Sequence, residues 1–417
     1  MGNIRKTVSY LKRNGLVKTC YRIIEQKKID AKFSDYNEKR KADVASSEEL
    51  KQQSEYKFDN NFMISVVVPL YRTNEEYLRV LLDSVLLQSY ENWELLLPDG
   101  SGNDSCALVV SEYDDERIKH FMLSSNQGIS ENTNAGIQKA TGDILLFLDH
   151  DDYIEPDAFF YIAKAFDNGA LAVYTDEDKV KALGDYYFMP HRKLAFNYDL
   201  LLSNNYICHI FAVNKSIADK VGLLRREYDG AQDFDFVIRC VEEIAKINGG
   251  YANLDKYIVH IPKILYHWRS HELSTSDNPE SKLYAYEAGR NVIKAHLKRR
   301  KIAAVVEHTD HLGFYHITYE DIFQRSEVGA YIGRRKGLKK YTSADGPYIR
   351  NNKGMLYNPY EGLKVYESGY MHRAKMQVDV DDGWRDNAII RRECEHMQME
   401  DIVKAGYLLV YDPEKLI

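Results

Sequence analysis

No stretch of 18 consecutive apolar residues occurs in the sequence, which excludes a conventional transmembrane helix among its segments. The first residues also lack the continuous apolar core of a secretory signal, so a cytoplasmic location is expected. Cysteine is scarce: the five (Cys20, Cys106, Cys208, Cys240 and Cys394) are scattered, with no C-x-x-C pair. An odd, dispersed set argues against a disulfide framework and a zinc site, and fits a reducing compartment. Neither a phosphate-binding P-loop nor an H-E-x-x-H metalloprotease motif is present. Nor is there an excess of positive charge. The formal net charge of −7 speaks against a general nucleic-acid binder.

What is present is ordinary globular chemistry, 44% hydrophobic and 29% charged over 417 residues, enough for two or three domains. The charge is uneven. Met1 to Lys28 carries eight basic residues against Glu25 alone. Within it, Ile4, Val8 and Leu11 share one helical face, and Leu16, Cys20 and Ile23 suit a second short helix. Two basic amphipathic helices are fitted to an anionic membrane surface, placing the protein on the inner face of a membrane. The plainer reading is a helical arm docked on its own domain. Residues 29 to 60, charged and poor in large apolar side chains, read as a linker or solvated helix, so a first region spans 1–60.

From Met63 the pattern changes. The β-branched run Ile64 to Val68 ends at Pro69, as a buried parallel strand does. Leu78, Leu81, Leu82 and Val85 give one face to a helix over 75–88. A strand at 94–97, a helix near 105–113, a strand near 118–123, a helix near 130–140 and a strand at 144–148 follow. This alternation predicts an α/β domain over 61–305: a mostly parallel sheet with helices on both faces. Ligands of such sheets bind beyond the carboxyl ends of the strands.

The polar residues at those ends therefore matter most. Asp149-His150-Asp151-Asp152 directly follows the apolar strand Ile144 to Leu148. Carboxylates so crowded repel one another unless a cation sits among them. A hard divalent ion such as Mg²⁺ or Mn²⁺ holding a diphosphate meets that need. The bland alternative is an acidic turn capping the next helix, through Asp152 or Glu155. A second acidic group, Asp379 to Asp382, follows no convincing core strand and is set aside.

Pro69-Leu70-Tyr71, the Pro98-Asp99-Gly100-Ser101 turn, Asn126-Gln127-Gly128 through Asn134-Ala135-Gly136 and the Asp-His-Asp-Asp group occur in a familiar order and spacing. Together they resemble the family-two glycosyltransferases of GT-A fold, particularly rhamnosyltransferase-like members that build bacterial surface polysaccharides. The resemblance spans about residues 63 to 275. It implies that Tyr71 and Asp99 contact the nucleotide base, with Pro69, Gly128 and Asn134 shaping the donor site. It also implies Asp149 near the ribose and Asp151 on the metal. Two residues depart from the common pattern: Pro98 stands where many members are acidic, and Arg72 where an asparagine is usual. Since the chain has 32 tyrosines, a packing role is the competing reading for Tyr71.

Further along, Asp233 matches the family's acceptor-activating carboxylate, in Gln232-Asp233 rather than Glu-Asp; a helix cap is the alternative. Asp235 reads as structural. The Thr175-Asp176-Glu177-Asp178 segment is shared with the related proteins, and Asp152, Asp176, Glu177 and Trp268 are candidates for the sugar or acceptor pocket. In the stretch Leu265 to Thr275, which in the family closes over the donor diphosphate, His267 or His271 would complete the metal shell. Arg269 or Ser274 would contact phosphate. Leu283 to Arg300 reads as a long helix, and 306–417 as a smaller C-terminal α/β module, a degenerate partial repeat of the same fold.

The resemblance thus implies a metal-dependent, inverting transferase. It would move a sugar from a UDP- or dTDP-sugar to a hydroxyl of a lipid-linked or polysaccharide acceptor. A nucleotidyltransferase would instead be expected to carry a basic, glycine-rich loop after the first strand. A non-catalytic glycan-binding or scaffolding subunit is the other alternative. A homo-oligomer is compatible with the sequence and not specified by it.

Overall fold

A computed structural model describes residues 36–181, 184, 186–270, 283–309, 312–334, 365–367, 388–405 and 407–416. The basic segment 1–28, His271, Ser274 and Asp379 to Asp382 lie outside the described residues. Among the described residues no helix is long and apolar enough to cross a membrane.

Four parallel strands form one half of the main sheet: β1 (Ile64–Val67), β2 (Trp93–Asp99), β3 (Ile118–Met122) and β4 (Ile144–Phe147), in the order β3-β2-β1-β4. The helices Glu75–Leu86, Ser105–Val110 and Ile129–Ile137 connect them. The expected α/β alternation is therefore observed. The sheet continues through β5 (Tyr153–Ile154), β6 (Ala172–Lys181), β7 (Tyr187–His191), β8 (Phe211–Asn214) and β9 (Ile258–Ser270). Here direction changes: β8 runs antiparallel to both β4 and β6, β9 is parallel to β6, and β5 is antiparallel to β9.

Side chains on successive strand residues point to opposite faces, and the two faces carry two cores. Val66, Leu95, Leu97, Ile144 and Leu146 pack with Leu78, Leu82 and Phe159. Val67, Leu96 and Leu145 pack with Ile137, Phe236, Val241 and Val292. A polar network fastens the strand starts. Ser65 Oγ donates to Glu94 Oε1 (2.6 Å), Lys119 Nζ donates to Oε2 (2.6 Å), and Gly142 N donates to Ser65 Oγ (2.8 Å). Only glycine fits at 142, since a Cβ there would lie 2.5 Å from the Met63 carbonyl oxygen.

Two regions differ from the expectation. Residues 36–60, read as linker or solvated helix, are docked on the domain. Tyr36 donates to Asp178 Oδ2 (2.7 Å), and Arg40 pairs with Glu155 and lies 3.5 Å over the Tyr187 ring. Phe58 packs edge-on against Tyr90 and Phe160. The anchors are aromatic and cationic, so counting aliphatic residues missed them. Likewise, the boundary expected at residue 305 falls inside the hairpin of β10 (Ala304–His308) and β11 (Tyr315–Tyr319). Val306, Tyr315 and Ile317 of that hairpin belong to the main core. Beyond it, β12 (Val328–Arg334), β13 (Val365–Glu367), β14 (Ala388–Ile390) and β15 (Leu408–Leu416) form a separate sheet, ordered β13-β15-β12-β14. Fully buried Arg325, just before β12, pairs with fully buried Asp199 (2.5 Å).

Two stability tests follow from these contacts. Burial alone would raise the Glu94 carboxyl, but hydrogen bonds from Lys119, Ser65 and Thr141 outweigh it and hold it at about 2, below its ordinary 4.5. Its contribution is therefore present above pH 4.5 and lost as pH falls through about 2. Glu94→Gln should flatten that acid loss in chemical denaturation run across the same interval. Asp199→Ala should cost about 3–5 kcal/mol, because it takes from the buried guanidinium one of its two carboxylates and leaves Glu327, 2.9 Å from Nε. The denaturant midpoint measures it, and a shift under 1 kcal/mol would show that Glu327 suffices for Arg325.

Candidate active site

The acidic turn sits where β4 ends and β5 begins, at the carboxyl edge of the parallel half-sheet. Asp149 is exposed, Asp151 half-buried and Asp152 fully buried. Asp152 is built into the frame: it accepts from the Arg269 N–H (2.7 Å) and from the Tyr266 hydroxyl. Burial, then the charges of Asp151 and Asp149, hold it well above the ordinary carboxylate range. Asp152 therefore braces the turn, and the expected place in a sugar pocket is corrected.

Strand β9 supplies that brace, and its alternation sorts its side chains. Tyr266 and Trp268 face the site. His267 points to the opposite side, where Nδ1 lies 2.6 Å from Asp178 Oδ1 and Nε2 lies 2.8 Å from Glu155 Oε1. Both ring nitrogens are thus engaged by carboxylates, and His267 does not reach Asp151 as a metal ligand. Burial opposes its charge, but Asp178 and Glu155 raise it above the ordinary imidazole range. Arg269 is also redirected. It is 2% exposed, its Nε donates to the Asp151 carbonyl (2.7 Å), and its guanidinium lies 4.5 Å over the Tyr77 ring. Through Nε it fixes the turn's backbone.

The opposite wall comes from the loop 204–210 and the start of the helix Gln232–Asn248. Asp233 lies in the first turn of that helix, and its Oδ2 accepts from Asn205 Nδ2 (2.8 Å). Burial pushes Asp233 above its ordinary range, against the Phe234 N–H, His209 and the Asn205 amide, while Asp149 adds to the rise. Asp235 is spent elsewhere, between Arg225 Nε (2.9 Å) and Arg239 Nε (2.9 Å), as its sequence position suggested.

Between the walls stands His209, which sequence reasoning missed. Its Nε2 is 3.5 Å from Asp149 Oδ2 and its Nδ1 is 3.3 Å from Glu177 Oε2. The ring stacks on Tyr266 at 4.6 Å and meets Trp268 edge-on at 5.6 Å. Burial opposes charge on His209, but Cys208 and the carboxylates of Asp149 and Glu177 outweigh it and raise it well above the ordinary range. The Cys208-His209 dipeptide was its only signal. No motif used here contained it.

The remaining candidates divide. Glu177 and Trp268 reach the site through His209. Asp176 does not: its Oδ1 accepts from the Lys193 N–H (2.7 Å) and lies 2.7 Å from His260 Nε2. Asn134 is also committed, since its amide exchanges two hydrogen bonds with the Leu224 backbone (2.9 and 2.8 Å). Asp99 is fully buried, accepting from the Ser101 N–H (2.8 Å) and lying 3.0 Å from His120 Nε2. It shapes the turn after β2, and a direct base contact is not what this geometry provides. Pro69 is buried where the chain leaves β1, while Tyr71 is 39% exposed at the mouth. Gly128 starts the helix Ile129–Ile137 at φ 98°, with Asp229 Oδ2 3.2 Å from where a Cβ would stand.

Hard oxygen donors on Asp151, beside Asp149, suit a divalent ion such as Mg²⁺ or Mn²⁺, and the crowding felt by Asp152 shows charge there in need of balance. Glu177, Cys208 and His209 form another group with ligand atoms within 4.8 Å. The Lys193 ammonium, 3.3 Å from Glu177, opposes a cation at that place.

Residues 65–222 match the family described as Glycosyl transferase family 2. The chain is 36% identical over 251 residues to an uncharacterized protein, y4gI, of Sinorhizobium fredii, covering 58% of this chain and 26% of that protein. It is 32% identical over 249 residues to O-antigen biosynthesis protein RfbC of Myxococcus xanthus, covering 58% and 19% respectively. The chain thus spans about a fifth to a quarter of the length of these relatives. Among solved structures, TarS of S. aureus in complex with UDP aligns at 20% identity and a TM-score of 0.43, covering 56% of this chain and 65% of that one.

The bracing role of Arg269 is open to a direct test. Arg269→Lys keeps the charge but loses the Nε bond to the Asp151 carbonyl. It should raise the Mn²⁺ concentration for half-saturation about 10- to 100-fold, by calorimetry. Unchanged affinity would show that the turn holds its shape without the guanidinium.

Proposed function

We propose that this chain, which carries a family-two glycosyltransferase domain over residues 65–222, is a metal-dependent inverting transferase of bacterial surface polysaccharide synthesis. The observation that carries the reading is the pairing of two walls. A crowded acidic turn at a strand end faces a half-buried carboxylate, Asp233, at a helix start, with His209 between them. The names of the relatives RfbC and WfgD, the latter a UDP-Glc-dependent glucosyltransferase of Escherichia coli, support the substrate class.

In this reading Asp151 holds the ion, Asp149 lies toward the donor's ribose, and Tyr71 offers an exposed ring to the base. When bound, the ion supplies charge that stabilises the departing diphosphate, so no acid is needed to protonate it. Asp233 accepts the proton of the acceptor hydroxyl as that oxygen attacks the anomeric carbon. An elevated carboxyl suits this task, because a base works best when its affinity for the proton lies near the working pH. His209 balances the surrounding carboxylates. The donor is a UDP- or dTDP-sugar and the acceptor a lipid-linked or polysaccharide hydroxyl.

Two substitutions separate the roles. Asp151→Asn should abolish the Mn²⁺-dependent part of nucleoside diphosphate binding in calorimetry, as chelator does in the unaltered protein. Asp233→Asn should leave that binding intact and lower turnover about 100-fold or more. Full turnover in Asp233→Asn would remove it from the mechanism, and absence of metal-dependent nucleotide binding would favour a scaffolding role.

A further inference from the structure

The loop 204–210 joins the two walls, and one of its residues has a half-used side chain. Asn205 Nδ2 donates to Asp233 Oδ2 at 2.8 Å. Its other end, Oδ1, is buried and has no hydrogen-bond partner. The amide orientation is set by chemistry: a carboxylate accepts, so the nitrogen must face Asp233. Asn205 Oδ1 is then an acceptor left without a donor beside the Asp233 carboxylate. A buried acceptor without a donor is costly, and an enzyme site is where such a group is retained.

We propose that Asn205 is the positioning residue of the acceptor side: Nδ2 fixes one oxygen of Asp233, and Oδ1 takes the O–H of the carbon next to the attacking hydroxyl. The acceptor is therefore a vicinal diol. This inference deepens, and rests on, the reading of Asp233 as the base. The balance of the step is simple. The attacking oxygen bonds to the anomeric carbon as the bond from that carbon to the diphosphate breaks. Its proton goes to Asp233 Oδ1, the bonding pair leaves with the diphosphate, and the second hydroxyl only donates a hydrogen bond.

The contact itself is tested without substrate. Asp233 faces the titratable groups His209 and Cys208 of the loop, Asp149 of the acidic turn and Tyr315 of β11. All four remain in Asn205→Ala and in the isosteric Asn205→Asp. In the full chain labelled with ¹³C-aspartate, with the Asp233 signal assigned through Asp233→Asn, both variants should titrate Asp233 at higher pH than the unaltered protein. An unmoved titration in both overturns the positioning role. Asn205→Ala should also lower kcat about 10- to 100-fold with donor affinity retained.

The diol is tested by competition. The donor is whichever of UDP-glucose, UDP-N-acetylglucosamine and dTDP-rhamnose binds with Mn²⁺. Ethane-1,2-diol and ethanol, at equal concentration, then serve as acceptors. The unaltered protein should favour the diol about tenfold beyond its doubled hydroxyl count, and Asn205→Ala should lose that preference. Equal capture by the unaltered protein, or the same preference in both proteins, overturns the Oδ1 assignment. Full turnover in Asp233→Asn would instead sink the base reading and leave the titration result standing.

Discussion

Negative charge gathered at the end of an apolar strand is the constraint around which the molecule is arranged. Strand β4 leads into Asp149, Asp151 and Asp152, and burial with the charges of its two neighbours holds Asp152 well above the ordinary carboxylate range. The fold resolves the crowding in layers. Asp152 is withdrawn into the frame, where the Arg269 N–H and the Tyr266 hydroxyl satisfy it. Asp149 is faced by His209. Asp151 is held by its backbone carbonyl, which accepts from Arg269 Nε.

The walls of the site are unlike in origin. One is strand-end geometry, the outcome of a parallel sheet whose ligands lie beyond its carboxyl edge. The other is a helix start reached through an antiparallel excursion, β8, which turns the chain back so that residues 204–210 cross the mouth. His209, on the loop 204–210, links them: its ring lies 3.5 Å from Asp149 and 3.3 Å from Glu177.

Much of the first wall was legible in the sequence, since β-branched runs, helical stripes and a terminal cluster of carboxylates are local signals. Legibility failed where a side chain's role depends on which way it points or on what a distant segment brings. His267 and Trp268 are neighbours, and only the pleat of β9 decides that one faces Asp178 and the other His209. Arg269 and Asn134 are plausible ligand-binding types, yet Arg269 Nε and the Asn134 amide bond to backbone 118 and 90 residues away. His209 and Asn205 carry no motif. Their place is set by the fold of the loop between the helix Tyr198–Ser203 and β8. Asp235 was read correctly because two residues along a helix from Asp233 is a large rotation, which needs no tertiary knowledge.

The contacts of Tyr36 and Arg40 carry a consequence for what counts as the working unit. On the reverse side of β9 they supply a hydroxyl and a cation to Asp178 and Glu155. The family match begins at residue 65. A version trimmed to that limit would strip Asp178 and Glu155 of the Tyr36 hydroxyl and the Arg40 cation, directly behind the strand that carries Trp268 and Arg269. The folded unit therefore starts upstream of the recognisable sequence, and the short clasp before it belongs to the domain as much as any strand of the sheet.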